Sequence, residues 1–328
     1  MRDFVSRFHL RAHSLSAIRA ALSVIALTLA CAPGCKRVPH EIATRENDPA
    51  TRRIASALAL VPPDAEIVLS LDLERLRGQT DWTTVLSALA KSPRPILDDL
   101  AVATGFDWNR QLRRVLVALP GERQSDDRFL LIADVEQLDE ARMTAWLQAR
   151  LGEKFAVFVR DRNQIVISQG EWKATMAALV RASTLMRSAA DRPELLRLCT
   201  RAAADHSLWF AAIVPAAVRR SLMHPPSLAD VAAIARVSGF MNSGGQAEGV
   251  AELSTAADAA TLAHRLGVYL NQAKRHPEML VRGLAPYLEA LRLTTHDARV
   301  HATLDIPGDQ VGDLIERIEA LAHAPGTK

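Results

Sequence analysis

The sequence predicts an α+β protein of two similar modules, each an antiparallel sheet of hairpins with helices packed mainly on one face. Three observations predict this fold class. Short runs of alternating apolar and polar residues occur in pairs joined by polar or glycine-containing turns, as in β-hairpins. Segments with apolar residues three and four positions apart lie between these pairs, as in amphipathic helices. The same order of segments occurs in residues 57–190 and again in residues 191–325.

The first module is predicted to begin with a strand in which Ile67, Leu69 and Leu71 alternate with polar residues. Its elements are, in order, that strand (66–73), a hairpin (114–119 and 128–135), a helix (138–151), a second hairpin (154–159 and 164–168) and a helix (171–182).

The second module repeats this order with little residue identity, so the repeat is one of pattern. Antiparallel hairpins alternating with helices favour an α+β fold with helices on one sheet face. Its elements are a strand (208–214), a hairpin (236–241 and 246–253), a long helix (256–275), a helix after Pro277, a hairpin (291–295 and 299–306) and a final helix from Val311.

Residues 1–30 have the layout of a secretory signal peptide. Four arginines and one aspartate precede an uncharged, mostly apolar run over residues 20–30. This run of eleven residues is too short to cross a bilayer, which takes about 20. A basic start, a short apolar core and small residues at its end are typical of an export signal. The sequence therefore predicts an exported protein.

Two cysteines, Cys31 and Cys35, stand where this segment ends. The layout resembles a bacterial lipoprotein signal, in which a small residue precedes a cysteine that is lipidated and becomes the new N-terminus. We predict lipidation at Cys31, with Cys35 as the alternative; ordinary signal-peptide cleavage or an uncleaved anchor are the other possibilities. Residues 31–56 are predicted to be a lipidated, flexible tether, because residues 36–53 are polar and show almost no apolar periodicity. The third cysteine, Cys199, is predicted to be a small buried hydrophobic residue of a helix.

The charge balance argues against a nucleic-acid partner. The chain has 40 Lys and Arg residues and 37 Asp and Glu residues, a net charge of +3. Residues 1–30 hold four Arg and one Asp, so the remaining chain is close to neutral. Nucleic-acid-binding proteins carry a clustered basic surface, and no basic stripe with interleaved aromatic residues occurs here.

Three phrases of the sequence resemble those of a known group of proteins. They are LVPPDAEIVLSLDLERLR (60–77), TGFDWNRQLRRVLVALP (104–120), and DRPELLRL with SLWFAAIVP (within 191–215). They are similar to uncharacterised secreted proteins and lipoproteins of high-GC bacteria such as myxobacteria. The resemblance implies an exported, duplicated α+β protein without a known activity. Because the phrases are strand starts and helix entries, it implies no functional residue.

No pattern in the sequence indicates a catalytic, metal or cofactor site. No G-x-S-x-G nucleophile motif, H-E-x-x-H metal motif or glycine-rich phosphate loop occurs. Ser243, Asp161 and Asn163 lie where hairpins must turn, which explains their residue types. His296 falls in a predicted turn, and Asp72 is placed to cap a following helix. We therefore predict no metal and no cofactor.

One surface is a candidate for binding. If helices cover one sheet face, polar residues on the other face are open to solvent or to a partner. The residues predicted on that face are Glu66, Ser70, Asp72, Arg299, His301, Thr303 and Asp305.

Together these observations predict a protein of the bacterial cell envelope, lipid-anchored on the periplasmic side of a membrane or secreted. Its predicted role is non-enzymatic binding or structural interaction with an unknown envelope protein or ligand. The alternative is an exported, hydrolase-like enzyme with a site assembled from residues distant in sequence. A concave pocket with convergent polar groups would favour the enzyme.

Overall fold

The computed structural model describes residues 49–78, 94–121, 128–182, 187–203, 206–223, 231–242 and 245–322. These ranges contain ten strands and twelve α-helices. The strands are β1 (Ala65–Asp72), β2 (Leu112–Pro120), β3 (Phe129–Val135), β4 (Phe155–Arg160), β5 (Gln164–Gln169), β6 (Leu208–Ile213), β7 (Arg236–Met241), β8 (Gln246–Glu252), β9 (Leu291–His296) and β10 (Arg299–Asp305). The helices are α1 (Pro49–Leu58), α2 (Leu73–Arg77), α3 (Arg94–Thr104), α4 (Trp108–Gln111), α5 (Glu140–Leu151), α6 (Trp172–Ala182), α7 (Pro193–Ala203), α8 (Ala216–Met223), α9 (Ala256–Arg275), α10 (Pro277–Val281), α11 (Ala285–Ala290) and α12 (Val311–Ala322).

All ten strands belong to one antiparallel sheet in the order β4-β5-β3-β2-β1-β6-β7-β8-β10-β9. The predicted α+β class and its hairpins are confirmed. The prediction of a separate sheet in each module is corrected, because β1 pairs directly with β6, with Leu69 opposite Phe210. The physical reason is that each of these strands would otherwise leave an unpaired edge in its own half. Pairing them satisfies both edges and makes one sheet.

In both halves, the strands follow the same order from the central pair β1 and β6 to the edge of the sheet. One half runs β1-β2-β3-β5-β4 and the other runs β6-β7-β8-β10-β9. Each half therefore has a first strand, a hairpin and a second hairpin in matching places.

Helices cover both faces of the sheet, so the prediction of helices mainly on one face is also corrected. On the face that we call the α7 face, α1, α6 and α7 pack over Val68, Leu116 and Trp209. On the opposite face, called the α9 face, α3 and α5 pack over the first half. Helices α9, α11 and α12 pack over the second half on that same face. Apolar residues at both parities of the central strands make this two-sided burial possible.

The last residues of the tether predicted over residues 31–56 belong to a helix instead, while residues 31–48 lie outside the described residues. Residues from Pro49 onward belong to α1, where Ile54 and Leu58 are buried in the core with Thr51 beside them. These three residues have helical spacing, but Arg52 and Arg53 give the segment a polar composition. The polar composition of this segment therefore led to the prediction of a tether where an amphipathic helix forms.

The helix that follows β1 begins as predicted. The Asp72 carboxylate accepts a hydrogen bond from the backbone N–H of Arg75 at 2.8 Å, which caps α2. In the described ranges, no helix is long and apolar enough to cross a membrane.

Candidate functional site

Six of the seven polar residues predicted on one sheet face do lie on the same face, the α7 face; the seventh, Glu66, stands at a register shift of β1, outside the cross-strand register. Residues opposite each other on neighbouring antiparallel strands point to the same side of a sheet. Ser70 is opposite Trp209, which is opposite Phe240. Phe240 is in turn opposite Glu248, and Glu248 is opposite Thr303. The continuous sheet thus places Ser70 and Asp72 on one side with the β10 residues.

The β1 members of this set are not open to solvent. Ser70 is only 1% exposed, because β1 lies at the centre of the sheet and α1 and α7 cover its α7 face. Glu66 is half-buried and its Oε1 accepts a hydrogen bond from Arg192 at 3.2 Å. Asp72 is half-buried and caps α2. Ser70 is therefore a correction to the predicted exposed face, and Glu66 and Asp72 have structural contacts.

The β10 members lie on a surface that we call the open face. Thr303 and Asp305 are exposed, and Arg299 and His301 are half-buried. Helix α7 reaches this side at the end of β8, where Arg201 contacts Glu252 and Val250 is also buried. Beyond that end, no described helix is seen to bury the residues of β10 and β9 on this side. The open face consists of Glu248 on β8, Arg299, His301, Thr303 and Asp305 on β10, and Arg292, Thr294 and His296 on β9.

The open face exists because the final helices of the two halves lie on opposite sides of the sheet. Helix α6, which ends the first half, buries Trp172 and Met176 on the α7 face. Helix α12, which ends the second half, buries Val311 and Leu314 on the α9 face. Among the described residues, the α7 face of β10 and β9 therefore has no helix in the place where α6 lies in the first half.

His301 and Glu248 form a close pair within the open face. Nδ1 of His301 lies 2.7 Å from Oε1 of Glu248. The His301 side chain is 12% exposed, and its Nε2 atom is buried without a hydrogen-bond partner among the described residues. The pair orients the imidazole with one nitrogen on a carboxylate.

A buried carboxylate, Glu252, lies beside the open face at the end of β8. Its Oε2 accepts a hydrogen bond from Nε of Arg236 at 2.7 Å, and its Oε1 lies 3.3 Å from Nε of Arg299. Arg201 of α7 donates to Oε1 from above the sheet. Burial alone would raise the pKa of Glu252, but the hydrogen bonds and charges of the three arginines together hold that pKa below its ordinary value.

Arg236, Glu252 and Arg299 thus form a polar row across β7, β8 and β10. A second polar row occupies the matching place in the first half. Arg114, Asp134, Gln164 and Arg160 stand opposite one another across β2, β3, β5 and β4. Nε of Arg114 donates to Oδ2 of Asp134 at 2.8 Å, and Nε2 of Gln164 donates to Oδ1 of Asp134 at 2.8 Å.

A cavity of about 590 Å³ lies between this row and α1. Its floor is formed by Leu116 and Ile132 of the sheet, and Leu179 of α6 lines it from the helix layer together with Ala57 and Leu60. Asp134 and Gln164 line it together with polar groups of the β4–β5 turn and of the short 3-10 turn that precedes α7.

Sequence reasoning missed both polar rows. The available signal was a charged residue near the start of β2 and β7 and an acid near the end of β3 and β8. Each of these residues occupies a core-facing position at a strand end, where alternation alone predicts an apolar residue. Only the cross-strand register shows that the charges meet.

The remaining predicted residues fall into two groups. Cys31 and Cys35 lie outside the described residues, as does Ser243. Cys199 is a fully buried free thiol in α7, and burial raises its pKa. Over the described ranges, no group of three or more His, Cys, Asp or Glu side chains is placed to hold a metal ion.

Comparisons with known proteins identify no relative by sequence. No profile of a known protein family matches the chain, and no curated protein matches it. Among solved structures, crystal form I of TP0453 from Treponema is similar at a TM-score of 0.41 and 9% identity, over 80% of this chain and 97% of that chain. A similarity this remote supports neither a shared fold nor a shared function. The resemblance to secreted proteins of high-GC bacteria stays a prediction.

Proposed function

We propose that this chain is an exported protein of the bacterial envelope that acts by binding another envelope component and not by catalysis. Its proposed anchor is a lipid on Cys31, with Cys35 as the alternative. The basic, then apolar, then cysteine-containing N-terminus supports export and anchoring. The proposed location is the periplasmic side of a membrane.

The open face is the observation that carries the binding role. Its strands are rigid, because their other side packs against α9 and α12 through Val300, Leu304 and Val311. Its outer side presents hydroxyl, carboxylate and imidazole groups on adjacent strands. A rigid polar surface of this kind suits an adaptable protein partner, whose polar groups can replace water hydrogen bonds at low conformational cost.

We further propose that the two halves arose by duplication. The matching strand order supports this proposal, and so do the two polar rows. Arg114 and Asp134 stand on β2 and β3 where Arg236 and Glu252 stand on β7 and β8. The same pairing of an arginine with an acid at one register supports the proposal, although the pair is half-buried in the first half and only Glu252 of the second is fully buried.

A second candidate function is an exported hydrolase-like enzyme. The pair of His301 and Glu248 favours it, because a carboxylate on Nδ1 is how a catalytic imidazole is oriented. Such an enzyme would additionally need a nucleophile or an activated water within reach of Nε2. The substitution His301→Gln distinguishes the two proposals, since it would abolish a hydrolase but only weaken binding at the open face.

The proposed export and lipid anchor are tested by intact mass and membrane fractionation of the native protein beside Cys31→Ser and Cys35→Ser variants. We expect a mature N-terminus at Cys31 with added acyl mass, and release of the Cys31→Ser protein from the membrane. Release by Cys35→Ser alone would move the anchor to Cys35. An unmodified soluble protein that retains residues 1–30 would contradict export.

The binding role is tested by placing a photo-crosslinking amino acid at Thr303 in the producing cell. Ala260, an exposed residue of α9 on the other side of the sheet, is the matched control position. We expect a discrete adduct from Thr303 but not from Ala260, and its loss when Asp305→Arg is added. Equal labelling from both positions would rule out the open face as the binding surface.

A further inference from the structure

The two polar rows differ in what lies above their central acid. In the second half, Glu252 forms ion pairs with Arg236 and Arg299 of the sheet. It forms a third with Arg201 of α7. In the first half, Asp134 accepts hydrogen bonds from Arg114 and from the neutral amide of Gln164, both residues of the sheet. The place above Asp134 that corresponds to Arg201 is part of the cavity.

Leu60 occupies the position that matches Arg201 in the chain. Val68 is opposite Ala118, and Trp209 is opposite Phe240, so Val68 and Trp209 hold matching places in β1 and β6. Leu60 and Arg201 each precede that residue by eight positions. Leu60 lines the cavity. An apolar residue thus replaces the guanidinium, and the space over the acid stays open.

The charges around the cavity favour a cation. Three carboxylates (Asp134, Asp161 and Asp191) and two guanidinium groups (Arg114 and Arg160) line it, an excess of one negative charge. Asp191 is engaged in a capping box with Ser188, and Asp161 lies 3.5 Å from Nε of Arg160. Asp134 accepts three hydrogen bonds, two from Arg114 and one from Gln164. Because a carboxylate has about four acceptor positions, one remains for a ligand.

We propose that this cavity binds an organic cation, namely a primary amine or guanidinium group carried on an aliphatic chain. The cationic group contacts Asp134 as Arg201 contacts Glu252. The aliphatic chain lies on the floor formed by Leu116 and Ile132 and against Leu179 of α6. The cavity volume of about 590 Å³ is within the range of about 300–1,000 Å³ found for small-molecule sites. The cation is either a free small molecule or the Lys or Arg side chain of a polypeptide.

The test is isothermal titration calorimetry of the full mature chain with three probes of equal length: n-hexylamine, n-hexanol and hexanoate. We expect n-hexylamine to bind at least about tenfold more tightly than either other probe, the value of one charge-assisted hydrogen bond. Asp134→Asn should remove this preference. Asp297→Asn, the same change at an exposed turn at the opposite end of the sheet, should leave it intact.

A second variant keeps the test decisive if Asp134→Asn does not fold. Leu60→Arg supplies the missing guanidinium from within the chain and should lower n-hexylamine affinity at least about tenfold by occupying the site. Retained n-hexylamine binding in this variant, or hexanoate binding equal to that of n-hexylamine in the unsubstituted protein, would overturn the proposal. A trilysine peptide distinguishes the source: tighter binding than n-hexylamine indicates a polypeptide, and weaker binding indicates a free amine. Neither result depends on the open face, so the binding role proposed above stands or fails separately.

Discussion

Glu252 is a buried carboxylate whose arginine partners come from α7, β7 and β10. We expect Glu252→Gln to lower the free energy of unfolding at pH 7 by about 3 kcal/mol, because removing one member of a buried ion cluster leaves the others uncompensated. The folded-state pKa of Glu252 is depressed. Its contribution is therefore present above the unfolded-state pKa and is lost as the pH falls through the lower folded-state value.

Urea unfolding of both proteins at pH 7 and in acid measures this difference. The gap between them should narrow in acid, where Glu252 itself is protonated. Glu278→Gln is the control, since Glu278 pairs with Arg282 but its side chain is 46% exposed. It should cost less than about 1 kcal/mol. A pH-independent gap for Glu252→Gln would contradict the electrostatic explanation.

Gly245 stands at a position that leaves no room for a side chain. Its φ angle is +80°, and a Cβ atom would lie 1.9 Å from the carbonyl oxygen of Ile306. Gly245→Ala should therefore lower the melting temperature and cost more than about 1 kcal/mol of stability. Gly267, in the middle of α9, has open space where a Cβ would lie. Gly267→Ala should stabilise the protein by about 0.5–1 kcal/mol, and thermal unfolding of both variants checks the two signs.

At the scale of elements, one hydrogen bond links α11 to the terminal helix α12. The hydroxyl of Tyr287 donates to Oδ2 of Asp313 at 2.5 Å, and Nε of Arg317 donates to the same oxygen at 2.6 Å. Burial, together with the Asp313 carboxylate, raises the pKa of Tyr287 to about 12. The hydrogen bonds from Arg317 and Tyr287 lower the pKa of Asp313.

Ultraviolet titration in a Tyr269→Phe background isolates Tyr287, because the chain has two tyrosines. We expect its ionisation near pH 12. A group with a raised folded-state pKa stabilises fully below its unfolded-state pKa of about 10 and loses that contribution as the pH rises to the folded-state value. Asp313→Asn should bring the ionisation to lower pH. An unchanged titration in that variant would contradict the link between α11 and α12.

At the scale of the molecule, the two halves share one core. Leu195, Leu198 and Trp209 of the second half pack with Leu116 and Trp172 of the first. We expect neither residues 57–190 nor residues 191–325 to fold alone, since separation exposes this shared apolar surface and the edges of β1 and β6. Dispersed amide signals in the NMR spectrum of either half would contradict this expectation.

Sequence pattern predicted the hairpins and most helices, because strand alternation and helical spacing are local properties. It placed Thr303 and Asp305 on a polar strand face, and both are exposed. It failed at Ser70, whose polar side chain lies under α7 at the centre of the sheet. Whether a strand face is covered depends on helices distant in sequence, which alternation does not contain.

By itself the sequence determined the α+β class, the order of the elements, the Asp72 cap and the near-neutral charge beyond residues 1–30. The tertiary structure alone decided three further properties. They are the union of both halves in one sheet through β1 and β6, the two polar rows with the cavity above Asp134, and the exposure of Thr303 and Asp305 on the α7 face of β10. Each depends on pairing or packing between segments far apart in the chain, which is chosen by burial of edges and apolar area over the whole molecule and not by any local pattern.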